Sequence, residues 1–135
     1  MPVLEVIEKR YSVRAYEDRP VEPEKLERIM EAARLAPSAG NRQEWRFIVV
    51  RDKERRQALM RAAGGQAFVG QAPVVIAACA EGAEHVMKCG QPSSTVDVAI
   101  ALEHIALQAT AEGLGTCWVG AFDEAEAKAI LNVPA

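Results

Sequence analysis

The sequence lacks the features that mark several common classes of protein. Its 16 Lys and Arg residues are spread along the chain and are outnumbered by 19 Asp and Glu residues, for a net charge of −3. No electrostatic argument therefore favours nucleic acid or an anionic membrane as a partner. No stretch reaches the roughly 20 apolar residues of a membrane span, and Glu5 and Glu8 interrupt the apolar core that a signal peptide would need. We expect a cytoplasmic protein without nucleic-acid or membrane partners.

Cysteine and histidine are scarce, which argues against a disulfide framework and against a metal centre. Cys79, Cys89 and Cys117 are odd in number and show no CxxC spacing, as expected for reduced thiols in the cytosol. His85 and Cys89 are four residues apart, but two ligands do not make a metal site. We therefore expect no metal.

The usual motifs of phosphate binding and of side-chain catalysis are also missing. Gly65 and Gly70 have the glycine spacing of a P-loop, but Gln71 and Ala72 stand where Lys and Ser or Thr are required. There is no GxGxxG, and hence no separate dinucleotide-binding domain. No nucleophile or acid–base pair stands out, so no catalytic side chain is predicted.

The chain is nevertheless rich in core-forming residues, and its most informative stretch is Val96 to Phe122. A hydrophobic content of 50% over 135 residues indicates one globular domain. The first part of the stretch predicts a helix buried on most sides, with alanines that let another backbone approach, including that of a second copy. The helix is predicted to end at Gly113, where a glycine-marked, β-prone segment follows. Polar residues occupy two lines along the helix: Asp97, His104, Gln108 and Glu112 on one, Glu103 and Thr110 on the other. We interpret His104 as a packing or interface residue, not a catalytic base.

The remaining pattern predicts helices alternating with three strands. The strands are expected around residues 46–50, 74–79 and 115–119, the second of them buried on both faces. Three strands leave exposed sheet edges, so a further strand from a missing C-terminus or from a partner is expected. Pro23 is placed to open a helix, and Asp52 and Asp123 are placed to cap two others. Residues 64–71 are expected to form a flexible connection, and residues 81–95 an irregular one.

Two short segments have side chains suited to a ligand. Arg10 and Arg14, with Ser12 between them, would form a small clamp for an anion such as phosphate, or else a solvated basic turn. The loop from Pro37 to Trp45 is dense in small and amide side chains. Asn41 and Gln43 could contact the edge of a heterocycle, or could satisfy the backbone of their own turn.

Four segments in this order resemble the FMN-dependent nitroreductase family, particularly its short, single-domain members. They are RYSVRAY (10–16), APSAGNRQEWRFIVV (36–50), QAPVVIAACA (71–80), and the helix from Asp97 that runs into GLGTCWVGAF (113–122). The resemblance implies an α+β fold with a central, mostly antiparallel or mixed sheet flanked by helices. It also implies a homodimer built on the long central helix, with FMN at the interface. Residues 1–135 would form a single domain that lacks the usual C-terminal strand and extension of the family.

The resemblance assigns cofactor-binding roles to three segments. Arg10, Ser12 and Arg14, with Tyr11 alongside, would hold the phosphate and ribityl chain. Pro37, Ser38 and Ala39 would lie beside the ring system, with Asn41 and Gln43 as polar contacts. The stretch of Trp118, Val119, Gly120 and Ala121 would run along one face of the isoalloxazine ring, where small residues at 120 and 121 let the backbone come close.

The implied activity is a two-electron transfer from NADH or NADPH, through N5 of FMN, to a small acceptor such as a nitroaromatic or a quinone. In such enzymes the cofactor carries the chemistry. The alternatives are another flavin reaction of the same superfamily, such as dehalogenation or dehydrogenation, and a flavin-binding protein without turnover.

Overall fold

The computed structural model describes residues 2–134, which form six helices, two strands and a short 3₁₀ turn at Ala39–Asn41. The helices are α1 (Glu5–Lys9), α2 (Pro23–Arg34), α3 (Lys53–Ala62), α4 (Ala67–Gln71), α5 (Ser93–Ala111) and α6 (Glu124–Leu131). The strands are β1 (Trp45–Val50) and β2 (Val75–Ala80). None of the helices within residues 2–134 combines the length and the apolar character that crossing a membrane requires.

Local signals in the sequence set the ends of these helices. Pro23 occupies the first turn of α2, where its missing N–H costs nothing. The carboxylates of Asp52 and Asp123 accept the backbone N–H groups of Arg55 and Glu126, each at 2.9 Å, as N-caps of α3 and α6. Gly113 follows α5 with a φ of +79°, a conformation that glycine adopts without strain. The predicted caps and the predicted end of the central helix are confirmed.

The two strands pair antiparallel along their whole length, from Trp45 opposite Ala80 to Val50 opposite Val75. Side chains alternate between two cores on opposite faces of this ribbon, with Val75 and Ala77 on one face and Ile76 on the other. Both faces are therefore packed, as expected, but the prediction that β2 is buried is wrong: Val75–Cys79 are half-buried and Ala80 is exposed. A ribbon of two strands, with no described neighbour at either edge, cannot enclose them.

The third predicted strand, at residues 115–119, does not form. Thr116 makes a single parallel bridge with Ser12, and residues 117–122 are irregular. The segment lies beside the short extended stretch after α1, not beside β1 or β2, so the pairing stops after one bridge.

Two further boundaries differ from expectation. α5 begins at Ser93, so residues 93–95 belong to the helix and not to the irregular segment before it. Residues 67–71 form α4, where a flexible connection was predicted. Gly70 explains this packing, since a Cβ there would lie 2.8 Å from Nε2 of Gln57 on α3. The missing side chain lets the two helices come close.

The core lies on both sides of the ribbon. On one side, α2 packs against α5 through Ile29, Ala33, Ile105 and Ala109. On the other side, α3, α4 and α6 surround Val50, Leu59, Val69 and Leu131. The long helix α5 contacts α1, α2 and both strands, so it is the element to which the remaining segments are attached.

Candidate functional site

One polar line of α5 anchors the helix to its neighbours. The carboxylate of Glu112 accepts two hydrogen bonds from the guanidinium of Arg28 on α2, at 2.6 and 2.7 Å. Nδ1 of His104 lies 3.0 Å from the carbonyl oxygen of Ala32, also on α2. This contact supports a packing role for His104, between α5 and α2.

The other polar line of α5 faces the segment after α1. Oε1 of Glu103 lies 3.7 Å from Nε of Arg10. Among the described residues, the terminal guanidinium nitrogens of Arg10 form no hydrogen bond and are free to donate to a ligand. Glu103 therefore contacts the side of this guanidinium and leaves its donating end available, which suits the binding of an anion.

Arg10–Arg14 lies directly against the glycine-marked segment that follows α5. The backbone N–H of Val13 donates to the carbonyl oxygen of Thr116 at 2.8 Å. Gly115 makes this approach possible, because a Cβ at that position would lie 2.7 Å from Cγ2 of Val13. Two of the segments assigned to a ligand by sequence are thus joined in the fold.

Tyr16 closes the inner side of this junction. Its hydroxyl donates to the carbonyl oxygen of Val13 at 2.7 Å. Burial raises the pKa of Tyr16 to about 12, nearby Cys117 adds to the increase, and Arg14 opposes it. The phenol therefore stays protonated and serves as a fixed donor within the structure.

The outer side of the junction is exposed. Tyr11 is 68% exposed and Trp118 is 50% exposed. Ser12, Arg14, Gly120 and Ala121 also face solvent, whereas Val119 packs against the core. A Cβ added to Gly120 would have no heavy atom within 4 Å, so nothing in this chain demands a small residue there. The surface combines two guanidiniums, the hydroxyl of Ser12, two aromatic side chains and accessible backbone.

The loop Pro37–Gln43 has an unusual backbone. Gly40, Asn41 and Gln43 all have left-handed φ angles, of 59°, 54° and 53°. The hydroxyl of Ser38 accepts the N–H of Gln43 at 3.1 Å. The side-chain amides of Asn41 and Gln43 form no hydrogen bond with any described residue, so they do not satisfy the backbone of their own turn.

The predicted site residues form two separate groups in one chain. The loop is attached to the start of α5, where the N–H of Ala39 donates to Oδ1 of Asp97 at 3.0 Å. Gly113–Phe122 leaves from the end of α5, after Ala111. Asp97 and Ala111 are 14 positions apart, which at a rise of about 1.5 Å per residue corresponds to about 21 Å along α5. Among the described residues, a hydrogen bond joins Arg10–Arg14 to the segment after α5, and none joins either of these to Pro37–Gln43.

The residues of the first group, Arg10–Arg14 and Trp118–Ala121, are suited to binding a ligand. The clamp residues can bind an anion, and the exposed aromatic and glycine backbone can lie against a flat molecule. Among residues 2–134, no three His, Cys, Asp or Glu side chains are grouped as metal ligands. The thiol of Cys117 donates to the carbonyl oxygen of Trp118 at 3.4 Å.

The chain is similar in sequence to known oxidoreductases. A protein from Archaeoglobus fulgidus is 37% identical over 91% of this chain and 70% of its own length. Its name describes it as an NADH dehydrogenase/NAD(P)H nitroreductase. The FMN reductase [NAD(P)H] of Bacillus subtilis is 34% identical over 88% of this chain and 54% of its own. A 5,6-dimethylbenzimidazole synthase from Rhodospirillum rubrum is 31% identical over 93% of this chain and 72% of its own.

The fold is shared with solved structures of one family. The crystal structure of a nitroreductase family protein from Clostridium novyi matches 99% of this chain and 78% of its own, with a TM-score of 0.92 and 36% identity. The model of the nitroreductase family matches residues 7–66 and 58–135. The chain belongs to the nitroreductase family. The resemblance and the predicted fold class are confirmed, and NAD(P)H- and FMN-dependent oxidoreduction is confirmed as the activity class at the level of the family.

Three residues that shape the site had no site role predicted from the sequence. Asp97 and Glu103 were visible as polar residues on an apolar helix, but only the structure shows that they contact Ala39 and Arg10. Gly115 was visible as one of several glycines. Its close contact with Val13 distinguishes it from Gly120, which has open space around it.

Proposed function

We propose that this protein binds FMN and transfers two electrons from NADH or NADPH to a small acceptor, such as a nitroaromatic or a quinone. The observation that carries the proposal is the junction of Arg10–Arg14 with the segment after α5, where Val13 and Thr116 share a hydrogen bond of 2.8 Å. This junction puts an anion clamp next to an exposed aromatic and glycine surface, the two environments that a phosphorylated flavin requires.

The clamp would hold the phosphate and ribityl chain. Arg10 and Arg14 supply guanidinium donors, and Ser12 supplies a hydroxyl. Glu103 supports this arrangement by contacting Nε of Arg10, which leaves the terminal nitrogens for the phosphate. Tyr11 is exposed next to these groups and would cover the ribityl chain.

The ring system would lie against Trp118, Val119, Gly120 and Ala121. Gly120 fits this role because the space that its Cβ would take is empty in the chain itself. A flat ring can therefore approach the backbone there, and backbone N–H groups can donate to it. Val119 packs on the core and fixes the segment from below.

A second copy of the chain would complete each site. No hydrogen bond among the described residues joins the loop Pro37–Gln43 to the clamp or to the ring-binding segment of the same chain. In a homodimer built on α5, Pro37, Ser38 and Ala39 of one copy would lie beside the ring held by the other. The unpaired amides of Asn41 and Gln43 would then supply polar contacts.

When bound, FMN supplies the redox chemistry, by accepting a hydride from the nicotinamide and passing two electrons to the acceptor. The chain's own residues bind and orient: the guanidiniums neutralise the phosphate, and backbone donors stabilise negative charge on the ring. No side chain of the site is needed as a nucleophile or a base.

A second candidate within the family is a different flavin reaction. The similarity to a 5,6-dimethylbenzimidazole synthase shows that relatives with other names share this sequence pattern. Dehalogenation and dehydrogenation belong to the same group of candidates, and a flavin-binding protein without turnover is the non-enzymatic one.

Steady-state oxidation of NADH and of NADPH by FMN-loaded protein separates these candidates. The acceptors are a panel of nitroaromatics, quinones and halogenated aromatics, assayed without oxygen. We expect turnover with a nitroaromatic or a quinone. Turnover restricted to a halogenated aromatic would favour dehalogenation, and tight FMN binding without nicotinamide oxidation would favour the binding protein.

A further inference from the structure

The loop Pro37–Gln43 has left-handed backbone at two residues other than glycine, Asn41 and Gln43. Gln43 has a φ angle of 53°, in the left-handed region that disfavours most residues with a Cβ, and Asn41, a residue type that tolerates this region, has a φ angle of 54°. A left-handed conformation at a residue such as Gln43 persists where surrounding contacts hold it. A contact between the loop and the rest of the fold is therefore expected.

Hydrogen bonds inside the loop close the turn but do not attach it to the protein. The N–H of Asn41 donates to the carbonyl oxygen of Ser38 at 3.0 Å, and that of Arg42 donates to Ala39 at 3.2 Å. The N–H of Gln43 donates to the hydroxyl of Ser38 at 3.1 Å. These bonds shape the turn but do not connect it to an element distant in sequence.

One hydrogen bond ties the loop to a distant element within the described part of the chain. The N–H of Ala39 donates to Oδ1 of Asp97 at 3.0 Å, across 58 positions of sequence. Asp97 is 6% exposed and lies on the core side of α5. Asp97 forms no salt bridge with any described residue. Its contribution is therefore the acceptor oxygen of this hydrogen bond and not an ion pair.

The neighbouring turn of α5 holds a second loop in a similar way. Ser93 is fully buried, and both its N–H and its hydroxyl donate to the carbonyl oxygen of His85, at 2.8 and 3.1 Å. Ser93 and Asp97 are four residues apart and so lie on the same face of the helix. The start of α5 is thus a rigid base to which flanking loops are fixed.

We propose that Asp97 is a positioning residue for the cofactor: by accepting the N–H of Ala39, it sets the geometry in which Pro37–Gln43 meets the flavin. This inference rests on the proposed function. Asp97 itself does not touch the cofactor. It acts through Ala39, by fixing the strained turn that presents Asn41 and Gln43.

Two substitutions separate the acceptor from the charge. Asp97→Leu keeps the approximate size and removes the acceptor, whereas Asp97→Asn keeps an acceptor oxygen and removes the charge. Thr110→Val is the matched control, because the hydroxyl of Thr110 bonds only within α5, to the carbonyl oxygen of Ala106 at 2.8 Å.

Two readouts are measured for each variant. The first is the hydrogen exchange of the Ala39 amide in protein free of flavin, by NMR. The second is the dissociation constant of FMN. We expect Asp97→Leu to accelerate exchange at Ala39 and to weaken FMN binding by tenfold or more. We expect Asp97→Asn and Thr110→Val to stay within about threefold of the parent in both.

The outcomes distinguish this inference from the proposed function. Unchanged exchange and unchanged FMN affinity in Asp97→Leu would overturn the positioning role, and so would fast exchange with unchanged affinity. If the parent protein does not bind FMN, both proposals fail together. In that case, faster exchange of the Ala39 amide in Asp97→Leu alone would show that the hydrogen bond holds the loop in place but has no role in flavin binding.

A second variant keeps the test decisive if Asp97→Leu does not fold. Ala39→Pro removes the donor and leaves Asp97 in place. The turn accepts proline at this position, since Ser38 before it is extended, with φ of −144° and ψ of 155°. We expect Ala39→Pro to weaken FMN binding tenfold or more. FMN affinity in Ala39→Pro equal to that of the parent would contradict the positioning role.

Discussion

Arg28 and Glu112 join α2 to the end of α5 through two parallel hydrogen bonds, Nε to Oε1 at 2.6 Å and Nη2 to Oε2 at 2.7 Å. The Glu112 side chain is 12% exposed, and Gln108 donates to the same carboxylate at 3.1 Å. α2 and α5 pack together in the core that supports the proposed site. Because the link between them depends on an ionised carboxylate, the stability of the fold should depend on pH.

The pair predicts a loss of stability in acid. The hydrogen bonds from Arg28 lower the pKa of Glu112 from 4.5 to about 2. A carboxyl whose pKa is lower in the folded state stabilises the fold above its unfolded pKa, and this contribution disappears as pH falls through the folded pKa. We expect Glu112→Gln to reduce the free energy of unfolding at pH 7 and to have little effect near pH 2.

Urea denaturation between pH 7 and pH 2 measures this difference. Glu31→Gln is the matched control, because Glu31 bonds to Arg34 within α2 and joins no second element. Its effect should be smaller, as is usual for exposed pairs within one helix. A Glu112→Gln variant with the same pH dependence as the parent would contradict the assignment.

Gly115 and Gly120 should respond oppositely to alanine. A Cβ at Gly115 would lie 2.7 Å from Cγ2 of Val13, whereas one at Gly120 meets nothing within 4 Å. Overpacking of this kind costs about 1–3 kcal/mol, so Gly115→Ala should lower the stability of flavin-free protein and Gly120→Ala should not. Gly120→Ala should instead weaken FMN binding, because its methyl group enters the space proposed for the ring.

Thermal unfolding and FMN titration test the two glycines. The double variant Gly115→Ala/Val13→Ala should recover much of the lost stability, since it removes the side chain that clashes. Equal stability losses at both positions, or full FMN affinity in Gly120→Ala, would be inconsistent with the proposed surface.

Arg14→Ala should weaken the binding of FMN much more than that of riboflavin. Hydrogen bonds to charged groups contribute about 1.5–3 kcal/mol, or roughly tenfold to a hundredfold in affinity. Riboflavin lacks the phosphate and should bind the variant and the parent alike. Arg55→Ala is the control, because the Arg55 side chain is exposed on α3. Arg56 is unsuitable, since its guanidinium donates to the carbonyl oxygens of Gly70 and Ala72.

Fluorescence titration of both flavins with the three proteins gives the comparison. An equal loss for FMN and riboflavin would mean that Arg14 supports the fold and does not contact the phosphate. Equal effects of Arg14→Ala and Arg55→Ala would remove the clamp.

Mixed dimers test whether each site is built from two copies. One chain carries Arg14→Ala and the other carries Asn41→Ala/Gln43→Ala, so that each homodimer has two damaged sites. If the loop of one copy serves the clamp of the other, a mixed dimer has one intact site and one site with both lesions. Refolding an equal mixture should therefore restore tight FMN binding to part of the protein.

The control mixture combines the unmodified chain with a chain that carries all three substitutions. Each site of its mixed dimers would contain one lesion, so these dimers should bind FMN weakly. If the site is shared, random pairing leaves about a quarter of all sites intact in the first mixture, and about a quarter in the control mixture, where the unmodified homodimers supply them. No tight FMN binding in the first mixture, with about half of the sites intact in the control mixture, would contradict a site shared between copies.

The sequence predicted those parts of the fold that depend on local chemistry. Proline at the start of α2, the aspartate caps of α3 and α6, and the glycine after α5 each act within one turn of chain. The strand expected at 115–119 was wrong because a strand depends on its neighbour, and Thr116 meets only the short stretch at Ser12.

The site followed the same division. The chemical character of Arg10, Asn41 and Trp118 could be read directly from their residue types. Their arrangement depends on contacts between distant positions, such as Ala39 with Asp97 and Arg10 with Glu103, and periodicity carries no information about such pairs. The separation of the site residues into two groups along α5 also required the fold.

The most direct test of the central proposal is the visible absorption spectrum of the purified protein with bound FMN, recorded without oxygen before and after the addition of NADH or NADPH. We expect the flavin absorption to bleach with at least one nicotinamide and to return when a nitroaromatic or quinone is added. A protein that binds no FMN, or whose bound FMN keeps its colour with both nicotinamides, would contradict the proposal.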